Sequence, residues 1–335
     1  MTVPRLPVSL PTCTPLLARR TVLAAAAVLA IGLQATAAQA STSILFIGNS
    51  FTYGALASVQ TFRTNTVTDL NGSGIGGVPA LFKAFTQQAG LDYAVSLETQ
   101  PGSNLDFHYT NRLTLIDQAW DKVVMHGQSN LDFAAPNNPA KISTNTALLG
   151  AVFQARNANV DISLTATWAR ADLTYQTASP WLGQPISAMA YDVQAGYDVA
   201  AANNPSIVSR VNPVGLAWNR AIAQGVADAN PYDGISPGTL NLWASDNYHA
   251  SNHGYYLHAL TVFGMVTGRD PRSLGSSESA AVELGFSATD TAALQRIAFE
   301  QIAAVPEPGA WVMLAAGLAV FGCLGWRRRQ ADAAR

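Results

Sequence analysis

The chain has 335 residues, 49% of them hydrophobic and 12% charged, with 19 Lys and Arg against 21 Asp and Glu for a net charge of −2. That length suits one good-sized domain plus end segments, and a slightly acidic chain with no basic cluster along its middle is a poor binder of nucleic acid. With only two cysteines, Cys13 and Cys323, both in end segments, the central domain has neither a disulfide nor a thiol nucleophile.

The N-terminus reads as an export signal. Arg19 and Arg20 precede an apolar run from Val22 to Leu33, and Ala38-Gln39-Ala40 follows with the small-x-small spacing that signal peptidase accepts. Residues 1–40 are therefore assigned as a signal peptide. The apolar run is short for a membrane span, and the arginine pair leaves the twin-arginine route open beside the general one.

The next segments alternate between strand and helix patterns. Ser43 to Ile47 is a short apolar run closed by Gly48, a buried first strand, followed by a polar, Gly- and Thr-rich stretch to Gly77. Pro79 to Ala89 has helical spacing, Ala94 to Leu97 and Lys122 to Met125 read as strands, and Ala147 to Arg156 as a helix. Val160 to Ala166 is strand-like, Pro185 to Ala202 a long helix, and Ile207 to Val211 a further strand. Val214 to Ala227 and Gly254 to Gly264 are helical again. Strands alternating with helices predict a parallel sheet covered on both faces, with chemistry at the C-terminal strand ends.

The far end carries a second apolar run, Gly309 to Trp326, followed at once by Arg327-Arg328-Arg329. Eighteen uncharged residues are enough for a membrane helix whose basic flank stays cytoplasmic. Val305-Pro306-Glu307-Pro308 stands immediately before it, and this order of motif, helix and arginines resembles a PEP-CTERM sorting signal. The resemblance implies a Gram-negative bacterium, an exosortase cutting near Pro306, transient anchoring in the inner membrane and a final place at the cell surface or in the extracellular matrix. The domains expected are a signal peptide (1–40), a central domain (41–304), the sorting signal (305–329) and a short tail (330–335). Seven of the 19 basic and two of the 21 acidic residues lie in the end segments, leaving the central domain 12 against 19 and a net charge near −7.

Two short segments carry chemistry. In Gly48-Asn49-Ser50-Phe51-Thr52, a serine on a tight turn after the first strand exposes its hydroxyl beside free amides, although Gly-Asn-Ser is also ordinary capping chemistry. In Asp246-Asn247-Tyr248-His249, an imidazole can take a serine proton while a carboxylate three residues away fixes its tautomer.

Together these segments resemble the SGNH, or GDSL-like, hydrolases, which place a serine after the first strand and Asp-x-x-His near the C-terminal end. The resemblance implies a three-layer α/β/α sandwich with a central parallel sheet, flavodoxin-like, and a triad of Ser50, Asp246 and His249. It implies an oxyanion hole made by the amides of Ser50 and Gly102 and the side chain of Gln128, with Asn130 as the other candidate in Met125-His126-Gly127-Gln128-Ser129-Asn130. That block departs from the family's usual Gly-x-Asn-Asp and matches a bacterial branch of unknown function. Thr167-Trp168-Ala169-Arg170, Asn212-Pro213-Val214-Gly215-Leu216-Ala217-Trp218 and Thr267-Gly268-Arg269 resemble that branch as well. Asn49 stands where the family commonly has Asp, a position that supports the turn.

Other readings stay open. Gly127-Gln128-Ser129-Asn130 also resembles the nucleophile block of sialate O-acetylesterase-type enzymes, which would make Ser129 the nucleophile. His249 and His253 have metal-ligand spacing if both are helical, with Asp246 as an oxygen ligand, but Ser251 or Asn252 reads as a helix cap that places His249 outside. His108, His126 and His258 have no partner pattern and default to core or surface. Asn130 and Trp168 are candidate substrate contacts, although aromatics such as Trp168 and Trp218, like Tyr191, Tyr197, Tyr255 and Tyr256, are more often simply core.

The sequence thus points to an exported serine esterase acting on an O-acyl ester, acetyl first; export and the sorting tail favour an extracellular carbohydrate, with a lipid or small acyl ester as the other substrate class. It calls for no cofactor and no metal, and its partners are the ester substrate, signal peptidase and exosortase. The alternative is a non-catalytic surface protein that binds glycan or matrix on the same fold.

Overall fold

A computed structural model describes residues 41–305. Six strands, β1 (Thr42–Gly48), β2 (Thr68–Asp69), β3 (Tyr93–Thr99), β4 (Lys122–Met125), β5 (Asp161–Ala166) and β6 (Val208–Pro213), form one sheet in the order β2-β3-β1-β4-β5-β6. Every pairing is parallel, with Ile44 opposite Val95 on one side and Lys122 on the other.

Parallel strands are buried on both faces, so they read as continuous apolar runs rather than alternating ones. β1 shows this directly, since Ile44 through Gly48 are all buried. Each large aliphatic or aromatic side chain enclosed this way contributes roughly 1.5–3 kcal/mol.

Eleven helices cover the sheet among the described residues: α1 (Ser50–Tyr53), α2 (Gly77–Gln88), α3 (Leu105–Asn111), α4 (Leu113–Ile116), α5 (Ala140–Arg156), α6 (Ala171–Tyr175), α7 (Ser187–Asn203), α8 (Val214–Ala223), α9 (Asn252–Thr267), α10 (Ser279–Glu283) and α11 (Ala288–Ala303). α5 packs on α7 and α3, while α9 packs on α2, α8 and α11. Chain order reverses at β1, and right-handed crossovers to either side of it send helices to opposite faces. The expected three-layer α/β/α sandwich is present.

The differences from the sequence reading have local causes. β2 is two residues long and polar, too short to show a periodicity. α5 begins at Ala140, seven residues earlier than expected, because its first turns carry Lys141, Ser143 and Thr144 on the open side. α8 stops at Ala223, since Gly225 adopts φ +67. The final helix α11, capped by the Ser287 hydroxyl, was not anticipated.

The assigned signal peptide and tail helix lie outside the described residues. Among those that are described, no helix is long and apolar enough to cross a membrane.

Candidate active site

The reversal at β1 opens a crevice beyond the C-terminal ends of β1, β3 and β4. Ser50 follows β1, Gly102 follows β3 and Gln128 follows β4, so the topology gathers three of the sequence candidates at one edge. Asp246 and His249 reach the same region on an irregular segment before α9.

Asn49 organises this edge. Its side-chain oxygen accepts from the Phe51 amide at 3.1 Å and caps α1. Its Nδ2 donates to the carbonyls of Ser103 and Gly127, each at 3.0 Å. Gln100 N donates to Gly48 O at 3.0 Å, closing the link between the first and second turns. Ser50 is 4% exposed at the head of α1, and Tyr255 on α9 shares its hydroxyl hydrogen between the Ser50 and Ala55 carbonyls at 3.2 and 3.1 Å.

Two glycines are required here, Gly102 by its backbone conformation and Gly48 by its neighbours. Gly102 has φ +66, a left-handed conformation that L side chains rarely adopt. A Cβ on Gly48 would stand 2.3 Å from Thr52 Oγ1 and 2.5 Å from His126 Nε2. Those two atoms are hydrogen-bonded at 2.7 Å. His126 Nδ1 lies 2.8 Å from the Gly127 carbonyl, which only accepts, so Nδ1 carries the hydrogen and Nε2 accepts from Thr52. Burial drives this ring down to about 4, against the raising effect of the Gly127 bond.

Gln128 Nε2 donates to Gly102 O at 3.1 Å, and its oxygen accepts from Phe133 N at 3.1 Å. This fixes the side-chain amide across the crevice with one amide hydrogen left over. Ser129 and Asn130 line the same cleft. Tyr197 buttresses the loop from below, its hydroxyl oxygen accepting from Gly127 N at 2.9 Å.

Asp246 and His249 form a closed pair, with Oδ2 and Nδ1 2.6 Å apart. The other carboxylate oxygen accepts from the Tyr248 and His249 amides at 3.1 and 2.9 Å. Burial alone would raise the Asp246 carboxyl, but bonds from the His249 ring and these two amides outweigh it and hold it below its ordinary value. Asn247 takes φ +55 to turn the segment. Ser251 caps α9, so His249 lies outside the helix, while His253 within it stacks on Phe286.

The histidine segment is pinned from the loop after β5. Trp168 Nε1 donates to Tyr248 O at 3.2 Å, and the Arg170 guanidinium lies 3.7 Å over the Tyr248 ring while paired with Asp172. Trp168 is completely buried, stacked between Phe51 at 4.0 Å and Trp218 at 4.8 Å. The expectation that it touches substrate is therefore corrected: it packs the serine turn against the histidine segment from behind. Phe51 also meets the His249 ring edge-on at 5.7 Å. Among the described residues, no hydrogen bond joins Ser50 to His249.

The cleft has a volume of about 290 Å³ and is lined by Asn49, Gly102, the 128–130 loop, Phe133, Arg170 and Tyr248. Larger hollows, of about 540 and 670 Å³, lie among α7, α8, α11 and the β6 edge and contain no histidine. Size gives them no claim as the reactive site. Phe133, 73% exposed, had no sequence signal. Glu98 had one, as a carboxylate ending an apolar strand.

Comparison with known proteins bears on the fold and on the tail. The model of the PEP-CTERM protein-sorting motif matches residues 304–329, which indicates an exported protein of Gram-negative bacteria, transiently anchored and processed by exosortase. No curated protein matches the chain. A DUF4886 family protein from Bacteroides uniformis superposes with a TM-score of 0.54 at 18% identity, covering 80% of this chain and 98% of its own. A GDSL-like lipase from Parabacteroides merdae gives 0.46 at 15%, covering 68% and 96%. A psychrotrophic esterase from Pseudoalteromonas gives 0.43 at 12%, covering 68% and 98%. The chain thus carries a PEP-CTERM sorting motif behind an α/β domain whose structural neighbours are a DUF4886 family protein and GDSL-like lipases and esterases.

Proposed function

We propose that the protein is an exported serine ester hydrolase that removes a short acyl group, acetyl first, from a carbohydrate outside the cell. The observation that carries this reading is the Asp246–His249 pair at 2.6 Å, held beside the Ser50 turn by a shared aromatic stack. Ser50 Oγ attacks the ester carbonyl carbon while its proton passes to His249 Nε2. Asp246 keeps the hydrogen on Nδ1 and stabilises the imidazolium. The Ser50 and Gly102 amides and Gln128 Nε2 stabilise the oxyanion. Collapse expels the alcohol, which takes the proton from His249. Water then attacks the acyl-serine, giving its proton to His249, and collapse breaks the acyl–Oγ bond, releases the acid and returns that proton to Ser50 Oγ. The serine–histidine contact forms when substrate fills the cleft, a tightening common in such sites.

The cleft lining supports the substrate class. Among the described residues no aliphatic side chain lines it, so a long acyl chain finds no apolar trough there. Amide and hydroxyl groups of Gln128, Ser129 and Asn130 suit a polar alcohol, and exposed Phe133 offers a ring face to a sugar. The test is hydrolysis of p-nitrophenyl acetate and fluorophosphonate labelling of wild type, Ser50→Ala and Ser129→Ala. Loss in Ser50→Ala alone supports the triad. Loss in Ser129→Ala alone moves the nucleophile, and an inert, unlabelled, folded wild type favours a glycan-binding protein.

A further inference from the structure

Beneath the Gly102 turn lies a second serine–histidine–carboxylate array. Glu98 on β3 and His108 on α3 are completely buried, and Ser103 is 8% exposed. Glu98 Oε2 contacts His108 Nδ1, and the other ring nitrogen stands 2.9 Å from Ser103 Oγ. Arg112 Nε approaches the second Glu98 oxygen at 3.3 Å. A carboxylate this deeply placed is costly without partners, so each member depends on the others.

The order of groups is that of a hydrolytic triad, but enclosure keeps substrate away and Ser103 Oγ is already engaged twice. Its single hydrogen goes to the Gln100 carbonyl at 2.9 Å, which only accepts. His108 Nε2 must then supply the hydrogen for its own bond to Ser103 Oγ. A further hydrogen lies between Nδ1 and Glu98, where two bare lone pairs would repel. Nε2 therefore carries a hydrogen, unlike that of a histidine acting as a base, whose Nε2 must be bare.

Ser103 is also where the array meets the crevice. Its amide donates to Gln100 O at 3.3 Å, closing the turn that holds Gly102. Its carbonyl accepts from Asn49 Nδ2, next to Ser50. We propose that Glu98, His108 and Ser103 form a positioning array that fixes the Gly102 peptide at the oxyanion face. This rests on the reading of Ser50 as nucleophile.

The test compares Ser103→Ala and Ser103→Thr in the full chain, with Ser50→Ala as control. Loss of the hydroxyl lowers kcat on p-nitrophenyl acetate by about tenfold to a hundredfold with KM unchanged, the scale of a displaced reacting geometry. Threonine keeps the hydroxyl and restores most of the rate. Independently, ¹⁵N NMR of wild type shows hydrogen on His108 Nε2. Wild-type kcat in a folded Ser103→Ala, or equal losses in Ala and Thr, overturns the positioning role. A bare His108 Nε2 overturns the wiring. Absence of any Ser50-dependent turnover removes the esterase reading and the positioning role together, and the NMR signature then reports on the array alone.

Discussion

The side-chain amide of Asn49 lies 3.0 Å from the Gly127 carbonyl oxygen and donates to it, while its second hydrogen goes to Ser103 O at the same distance. Three turns from three strands thus meet on one NH2 group, on a residue that is 4% exposed. Aspartate has no hydrogens to give when ionised. Asn49→Asp sets a carboxylate against two carbonyls and is expected to cost about 1–3 kcal/mol or more, with a fall in ester turnover. Urea denaturation beside kcat measures both, and unchanged stability would show that the two bonds contribute nothing.

Asp246→Asn leaves an oxygen to accept the Tyr248 and His249 amides but no longer holds the hydrogen on Nδ1. Near-normal stability is expected with kcat reduced about 10³–10⁴-fold, the scale seen when a triad carboxylate is neutralised. Steady-state hydrolysis and fluorophosphonate labelling rates check this. A loss under tenfold would remove Asp246 from the triad.

Acid should destabilise the fold through two buried histidines. Burial brings His126 to about 4, and burial with the neighbouring His126 brings His258 to about 3. The unfolded chain protonates both below pH of about 6.5, so between there and about 4 it binds more protons than the folded protein. Stability is therefore complete above about 6.5 and falls as pH drops, by up to about 1.4 kcal/mol per pH unit for each ring. Urea midpoints at descending pH should show this slope, and a flat profile from neutrality to pH 5 would contradict it.

Phe133 and Trp168 should separate cleanly. Phe133→Ala is expected to raise KM for an acetylated oligosaccharide while leaving p-nitrophenyl acetate turnover and stability near wild type. Trp168→Ala empties a site stacked on both faces and should cost about 3–5 kcal/mol, read as a lower unfolding midpoint. If Phe133→Ala alters neither substrate, the exposed ring is not a sugar platform.

Much of this molecule is written locally. Buried parallel strands announce themselves as apolar runs, and Ser43 to Ile47 ends at Gly48 because no side chain fits there. Asp246 and His249 are close in sequence, so their pairing is legible from spacing. The aromatic stack is not: Phe51, Trp168 and Trp218 come from three segments, and only the folded chain shows Trp168 enclosed rather than facing substrate. His108 lacked a partner in sequence because Glu98 and Ser103 lie on a strand and a turn whose approach depends on β3. Residues whose role comes from tertiary neighbours leave little periodic trace.

The bond from Tyr255 to the Ser50 carbonyl joins positions 205 residues apart, and His249 is nearly as distant from the serine it would serve. A chain delivered N-terminus first presents Ser50 long before the segment bearing its base. Such non-local closure is slow and comes late in folding. On the proposed reading, and where export follows the general route that threads polypeptides unfolded, the hydroxyl stays unreactive until the chain has crossed the membrane. Acyl-bearing molecules on the inner side are then spared, because the order of residues along the chain itself delays the onset of activity.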